Sequence, residues 1–256
     1  MADVERLELT VADGVARIVL CRPDRRNAID FAFIRQFAAI AATCAADPTV
    51  AVILLTSRGD WFSVGGDLRD FVAHRDHVGA HVREMAHGFH AGILALRRAT
   101  APVVAAVRGI AAGGGFSLVC GADTLVAARS ARFVSAYTRS GLTPDGGLTH
   151  FLPRNVGSRA AFDIMATDPT LTADAAKALG IVSRVVEDAD FDDAVEKLVA
   201  DMLAMPPGAL AGLKRLLHGS DAALQAQLAA EAASISQRAA DPDTLRRLDA
   251  FLAKGR

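Results

Sequence analysis

Residues 109–118 read GIAAGGGFSL. The run before them, PVVAAV at 102–107, is short, uncharged and rich in β-branched residues, as a buried strand is. Gly113, Gly114 and Gly115 then lead into a second apolar run, FSLVCGA. A strand, a glycine turn and a short helix in that order make an α/β unit. The glycines allow close approach to the backbone where the first N–H groups of a helix lack intrahelical partners. A phosphate, a carbonyl oxygen or a neighbouring helix could use that approach. A dinucleotide fingerprint needs GxGxxG near an N-terminal βαβ unit, whereas GxxxGGG here lies mid-chain. A phosphate loop needs GK[ST] after its glycines, and none follows. Close helix packing and an oxyanion site remain. An oxyanion site works best with a second donor. FSVGGDL, 62–68, is a second glycine loop behind another buried-strand run, VAVILL at 50–55.

The rest of the chain extends the α/β pattern outward. RLELTV and ARIVLC flank Asp13-Gly14, which predicts a hairpin. Asp30 is placed to cap a helix over FAFIRQFAAIAATCAA. A long helical stretch, 68–98, is expected to break near Val78-Gly79. TLVAA, ARFVSA and VSRVV read as short strands. LTADAAKALG carries Thr172 as a cap and Gly180 as a stop. After Asp190 the pattern is helical to the end, interrupted at Pro206-Pro207.

Composition narrows the function. The chain has 256 residues, 52% of them hydrophobic, with 28 Lys and Arg against 29 Asp and Glu. A net charge of -1, a single Trp and a single Tyr speak against nucleic acid as a partner. Cys21, Cys44 and Cys120 form no CxxC pair and suit a reducing compartment. MADVERLELT has no signal-peptide pattern. The longest uncharged apolar stretch, Gly109 to Ala122, is too short and glycine-rich for a membrane span. A cytoplasmic protein with no membrane partner is expected.

FSVGGDL, GIAAGGGFSL and GLTPDGGLTHFLPR, in that order and spacing, resemble the crotonase (enoyl-CoA hydratase/isomerase) superfamily. LCRPDRRNAID resembles its early CoA-contacting loop, and PTLTADAAKALGIVSRVV the region after its active site. The resemblance covers essentially the whole chain. It implies an α/β fold, the crotonase (ClpP-like) spiral of β-β-α units, with a C-terminal helical region. The expected division is 1–195 for the spiral core with its acyl-CoA site and 196–256 for helices that build the oligomer, a homotrimer or dimer of trimers. It also implies an acyl-CoA substrate and no separate cofactor, coenzyme A being part of the substrate. The thioester oxygen would sit between the backbone N–H groups of Gly66, after Val64-Gly65, and Gly114. Val64 would line the substrate pocket. Arg25 and Arg26 become candidates for CoA phosphates, since guanidinium suits phosphate. A solvated basic turn is the plainer reading of the pair. Asp67 is expected to cap the next helix. Phe251 and Lys254 match positions that reach a neighbouring subunit's CoA.

The chain departs from the hydratases of that family. They use two glutamates; at those places stand Ser117, two residues after the glycine triplet, and Tyr137, four before Gly141. Neither side chain replaces a carboxylate base at neutral pH. Asp145, in GLTPDGG, matches the catalytic acid of double-bond isomerases in the superfamily. One carboxylate suffices for isomerisation, and an apolar pocket would raise its pKa toward a useful range. The competing role is a cap on the helix Gly146–Leu152. Ser117 and Tyr137 would shape the pocket, with Tyr137 hydrogen-bonding Asp145 or substrate.

Asp145 also matches the nucleophile of the superfamily's 4-chlorobenzoyl-CoA dehalogenases. Phe89-His90 stands where those enzymes have a Trp-His pair, and Tyr137 where they have a Trp. His90 is therefore a pocket candidate. Isomerisation is the favoured reading. Hydration, dehalogenation and non-catalytic acyl-CoA binding are its alternatives. His74, His77 and His81 have helical spacing but match no metal motif, and Arg75, Asp76 and Arg83 mark a solvated helix face. No metal site is expected.

Overall fold

A computed structural model of the protein describes residues 5–254. β1 (Leu7–Ala12) and β2 (Val15–Leu20) form an antiparallel hairpin. Its turn residues Asp13 and Gly14 both have positive φ, 50° and 79°, which matches the twist of paired strands. α1 (Phe31–Ala46) starts at Asp30, whose carboxylate accepts the Phe33 N–H at 2.8 Å.

One pattern then recurs. β3 (Val52–Ser57), β4 (Trp61–Ser63), α2 (Leu68–Ala73) and α3 (Val78–Arg98) make the first turn. β5 (Val103–Val107), β6 (Ile110–Ala112) and α4 (Gly114–Cys120) make the second. β7 (Thr124–Ala128), β8 (Arg132–Val134) and α5 (Leu148–Val156) make the next. Each turn gives one strand to a six-stranded sheet, ordered β1-β2-β3-β5-β7-β10, and one to a four-stranded sheet, ordered β4-β6-β8-β9. Equivalent strands of successive turns pair in parallel, so the chain advances as a spiral. α6 (Ser158–Thr167), β9 (Leu171–Thr172), α7 (Ala173–Ala178) and β10 (Arg184–Val186) follow, and β9 and β10 close the two sheets. Helices α8 (Phe191–Leu203), α9 (Pro207–His218), α10 (Ala222–Ala239) and α11 (Pro242–Lys254) complete the chain.

Strand alternation divides the apolar residues between two faces. Ile53, Leu55, Val103, Ala105 and Val107 face the main core. Val52, Leu54, Val104, Ala106 and Val126 face outward and are covered by Phe191, Val195, Leu198 and Val199 of α8. α10 sends Leu224, Leu228, Ala232 and Ile235 into the main core. This helix of the C-terminal region is thus packed into the spiral core.

The break in the helical stretch falls earlier than expected, at the 3-10 turn Arg75–His77. Gly79 lies inside α3 and serves helix contact: a Cβ there would be 3.1 Å from the Ser236 carbonyl on α10. β6 and β9 are too short, at three and two residues, for alternation to reveal them.

Candidate active site

A cavity of about 680 Å³ opens between the glycine loops, α3 and α11. Val64, Gly66, Gly114, Tyr137 and Asp145 all form part of its wall. Gly65 has φ +82°, and a Cβ there would stand 2.8 Å from the Ala112 carbonyl and 2.9 Å from the Gly114 nitrogen. The two glycine loops therefore touch backbone to backbone. Ser63 fixes the first loop: its hydroxyl accepts the Gly65 N–H (3.1 Å) and donates to the Asn27 carbonyl (2.8 Å). The Gly113 N–H donates to Val134 of β8 at 3.2 Å and fixes the second. Among the described residues, neither the Gly66 nor the Gly114 N–H has a hydrogen-bond acceptor. Two uncommitted backbone donors from adjoining loops thus belong to residues of the cavity wall, and a pair of such donors can stabilise a carbonyl oxygen as it gains negative charge.

The Asp145 carboxylate lies on the same wall. The Tyr137 hydroxyl donates to its Oδ1 at 2.7 Å. The Ser117 hydroxyl lies 2.9 Å from the Tyr137 hydroxyl and 3.3 Å from the Gly113 carbonyl. Burial pushes the Asp145 pKa up to about 6, and the Tyr137 donation restrains the rise. The Gly146 N–H donates to His90 Nε2 at 3.1 Å. That nitrogen therefore holds a lone pair, and the ring is neutral with its proton on Nδ1. Burial agrees, bringing the His90 pKa down to about 4. His90 Nε2 is 3.9 Å from the Asp145 carboxylate.

Two sequence expectations change here. Asp145 caps no helix. α5 begins at Leu148, with Gly147 at its N-cap and no side-chain cap from Asp145. Glu231 of α10 takes that task, accepting the N–H of Gly147 (2.7 Å) and Thr149 (2.9 Å) and the Thr149 hydroxyl. The Asp145 oxygens are thereby left to Tyr137 and the cavity. Glu231 is 3% exposed, and burial pushes its pKa up to about 7. Its one sequence signal is an acid among the alanines of LAAEAAS. The second change concerns Ser117 and His90, which do not line the cavity. Ser117 is fully buried behind Tyr137, and His90 lies behind the Asp145–Gly146 turn.

Other cavity carboxylates are occupied or at the rim. Asp67 caps α2 by accepting the Arg69 N–H at 3.0 Å. Asp168 accepts the Ala136 N–H (2.7 Å) and pairs with Arg139 (3.3 Å). Asp24 stands on the exposed early loop beside Arg25 and Arg26, which also border the cavity. The Arg26 guanidinium lies 5.1 Å over the Trp61 ring. Phe251 of α11 borders the cavity of its own chain. Lys254 ends α11, and its side chain lies outside the described residues. Arg75, Asp76, His77 and Arg83 are exposed, as expected, whereas His74 and His81 meet across Asp70.

Tyr137→Phe removes the one side-chain donor to Asp145 among the described residues while keeping the ring. The Asp145 pKa is expected to rise by roughly one pH unit, the worth of a modest hydrogen bond. A pH titration of the Asp145 carboxyl by NMR checks this, and an unchanged midpoint would refute it.

Residues 10–256 match the enoyl-CoA hydratase/isomerase family. A 4-chlorobenzoyl coenzyme A dehalogenase from Arthrobacter sp. is 33% identical over 94% of this chain and 88% of its own. A 1,2-epoxyphenylacetyl-CoA isomerase from Escherichia coli K12 is 31% identical over 95% of this chain and 94% of its own. The crystal structure of an enoyl-CoA hydratase from Mycobacterium avium subsp. paratuberculosis superposes with a TM-score of 0.88 at 29% identity, covering 97% of this chain and 100% of the other. Among the described residues, no helix is long and apolar enough to cross a membrane.

Proposed function

The chain belongs to the enoyl-CoA hydratase/isomerase family, and we propose that within it the protein moves a carbon–carbon double bond in an acyl-CoA thioester. The Gly66 and Gly114 N–H groups hold the thioester oxygen. Asp145 takes a proton from C2 of a 3-enoyl thioester, giving a dienolate whose charge rests on that oxygen. The same carboxyl returns the proton at C4, which leaves a 2-enoyl product and the enzyme unchanged. Tyr137 keeps the carboxylate oriented through each transfer. Coenzyme A enters as part of the substrate, and no other cofactor is needed.

One observation carries this reading. Asp145 is a cavity carboxylate free of capping duty whose burial brings its pKa to about 6. Such a group accepts and releases a proton near neutral pH with little free-energy cost. Hydration would need a second acid or base to activate water. At the two places where the family's hydratases carry glutamates, this chain has a buried serine and a tyrosine hydrogen-bonded to each other.

A panel of thioesters followed by mass and absorbance tests the proposal. Conversion of 3-enoyl to 2-enoyl thioesters is expected, with kcat/KM rising as pH climbs through about 6 and level above it, because the ionised carboxylate is the active form. Hydration of crotonyl-CoA at ordinary enzyme rates would overturn it.

His90 supports a second reading. A neutral imidazole 3.9 Å from Asp145 could activate water against an aryl ester formed when Asp145 displaces chloride from a 4-chlorobenzoyl thioester. Its Nε2 lone pair is already engaged by Gly146, which favours isomerisation. Chloride release from that substrate would reverse the order.

For the assembly, α9 supports contact between copies. Of its side chains only Lys214 is buried, while Leu213, Leu216 and Leu217 are 52%, 80% and 75% exposed. A homotrimer or dimer of trimers would cover them.

A further inference from the structure

The junction of α2 and α3 gathers chemistry that the reaction does not use. Asp70 lies in α2, His74 ends it, and His81 lies in the first turn of α3. The His81 Nε2 is 2.7 Å from one Asp70 oxygen; the His74 Nδ1 is 3.3 Å from the other and donates to the Asp70 main-chain carbonyl at 2.8 Å, which leaves the His74 Nε2 lone pair for a ligand. The two imidazoles stack with ring centroids 3.9 Å apart and planes within 12°. One carboxylate is thus shared by two imidazoles. A carboxylate oxygen and one nitrogen from each ring all lie within 4.8 Å of one another.

We propose that Asp70, His74 and His81 form a binding site for a divalent first-row transition metal ion, with zinc as its representative. Two imidazole nitrogens and a carboxylate oxygen are a donor set suited to zinc, and a water would complete a tetrahedron. Donor atoms around one zinc at ~2.1 Å are about 3.4 Å apart, so side-chain shifts of about 1 Å would bring these groups into place. The surroundings permit the charge. Arg75 is paired with Asp249, and Arg83 is turned to the Ser236 hydroxyl. Exposure falls from 37% at the His74 side chain through 21% at Asp70 to 10% at His81. The site therefore opens to solvent on the His74 side, which gives an ion a way in. Phe31 supports the buried end by stacking on His81 at 5.8 Å.

The site also has a position relative to the cavity. Asp70 adjoins Phe71, whose ring lies on the cavity wall 3.3 Å from where a Cβ on Gly66 would stand. An ion here would tie α2 to α3 across the 3-10 turn. That would fix Phe71 beside the first oxyanion glycine. The metal acts on the architecture of the site and takes no part in the reaction.

The test uses the full chain, treated with chelator and desalted, then titrated with Zn²⁺ by calorimetry. One ion per chain is expected, with a rise in Tm. Co²⁺ should give the visible absorption of a four-coordinate nitrogen and oxygen site. Asp70→Asn, His74→Ala and His81→Ala should each weaken Zn²⁺ binding by more than the roughly 10–100-fold that follows loss of an outer-shell partner. His87→Ala, an exposed position on α3, should bind as the parent does. His81 is packed, so its variant could lose structure. His74 is open to solvent, and its variant, checked by circular dichroism, keeps the test decisive. Absence of a saturable site, or affinity unchanged in His74→Ala and Asp70→Asn, would overturn the proposal.

Discussion

Asp145→Asn is expected to lower kcat for 3-enoyl thioester isomerisation by about 10²–10⁴-fold, the range for loss of a general acid–base group. Asparagine keeps the shape and still accepts the Tyr137 hydroxyl, but it cannot take a proton. Substrate affinity should change little, since the Gly66 and Gly114 donors are untouched. The same variant should be more stable than the parent at neutral pH. Burial raises the Asp145 pKa from 3.8 to about 6, so the folded state holds its proton more tightly than the unfolded chain. Between those two values the native state binds more protons, and stability falls as pH rises. At pH 7 the ionised carboxylate costs up to roughly 3 kcal/mol. The advantage of Asn should therefore be full above about pH 6 and vanish toward pH 4. Denaturant unfolding at pH 4 and pH 7, together with turnover, measures both halves. A variant that keeps its turnover would remove Asp145 from the mechanism. Lost activity with lost stability would make it a structural residue.

The second large effect belongs to a glycine that donates nothing to the substrate. Gly65→Ala should cost about 10²–10³-fold in kcat, the loss expected when one oxyanion donor is displaced. The added methyl would enter the space of the Ala112 carbonyl and the Gly114 nitrogen, at 2.8 and 2.9 Å. Both are backbone atoms and cannot swing aside. The alanine would also have to hold φ +82°, at a cost of roughly 1–2 kcal/mol. The loops would separate, and the Gly66 and Gly114 N–H groups, proposed to hold one oxygen, would move apart. Steady-state kinetics with a 3-enoyl thioester reads the effect. Full activity would mean that the two donors do not act as a pair.

Much of the fold can be read from local patterns because its elements are locally encoded. The turn at Asp13-Gly14, the cap at Asp30 and the cap at Thr172 each rest on side chains within a few residues, and each forms as those residues dictate. The short strand β6 is different. Its three residues become a strand through pairing with β4 and β8, which lie far away in sequence. The site divides in the same way. Glycine loops announce themselves because close approach demands glycine wherever it occurs. The role of Asp145 is not local. A Pro-Asp-Gly-Gly turn before a helix can supply a cap as well as a catalytic acid, and the capping contacts here come from Glu231, more than eighty residues downstream. Helical spacing placed His74 and His81 on one face, but their contact with Asp70 depends on where the helix breaks.

The reach of Glu231 has a consequence for how the site comes into being. Both glycine loops lie before residue 121, so they leave the ribosome early. Gly147 and Thr149, just after Asp145, gain their contacts with Glu231 only when α10 has been synthesised and has docked. A chain cut short before α10 would retain both glycine loops and the Tyr137–Asp145 contact and lack the Glu231 anchor at the start of α5. Under the proposed isomerase reading, a product truncated before α10 is expected to carry both oxyanion loops while its acid lacks this outer anchor.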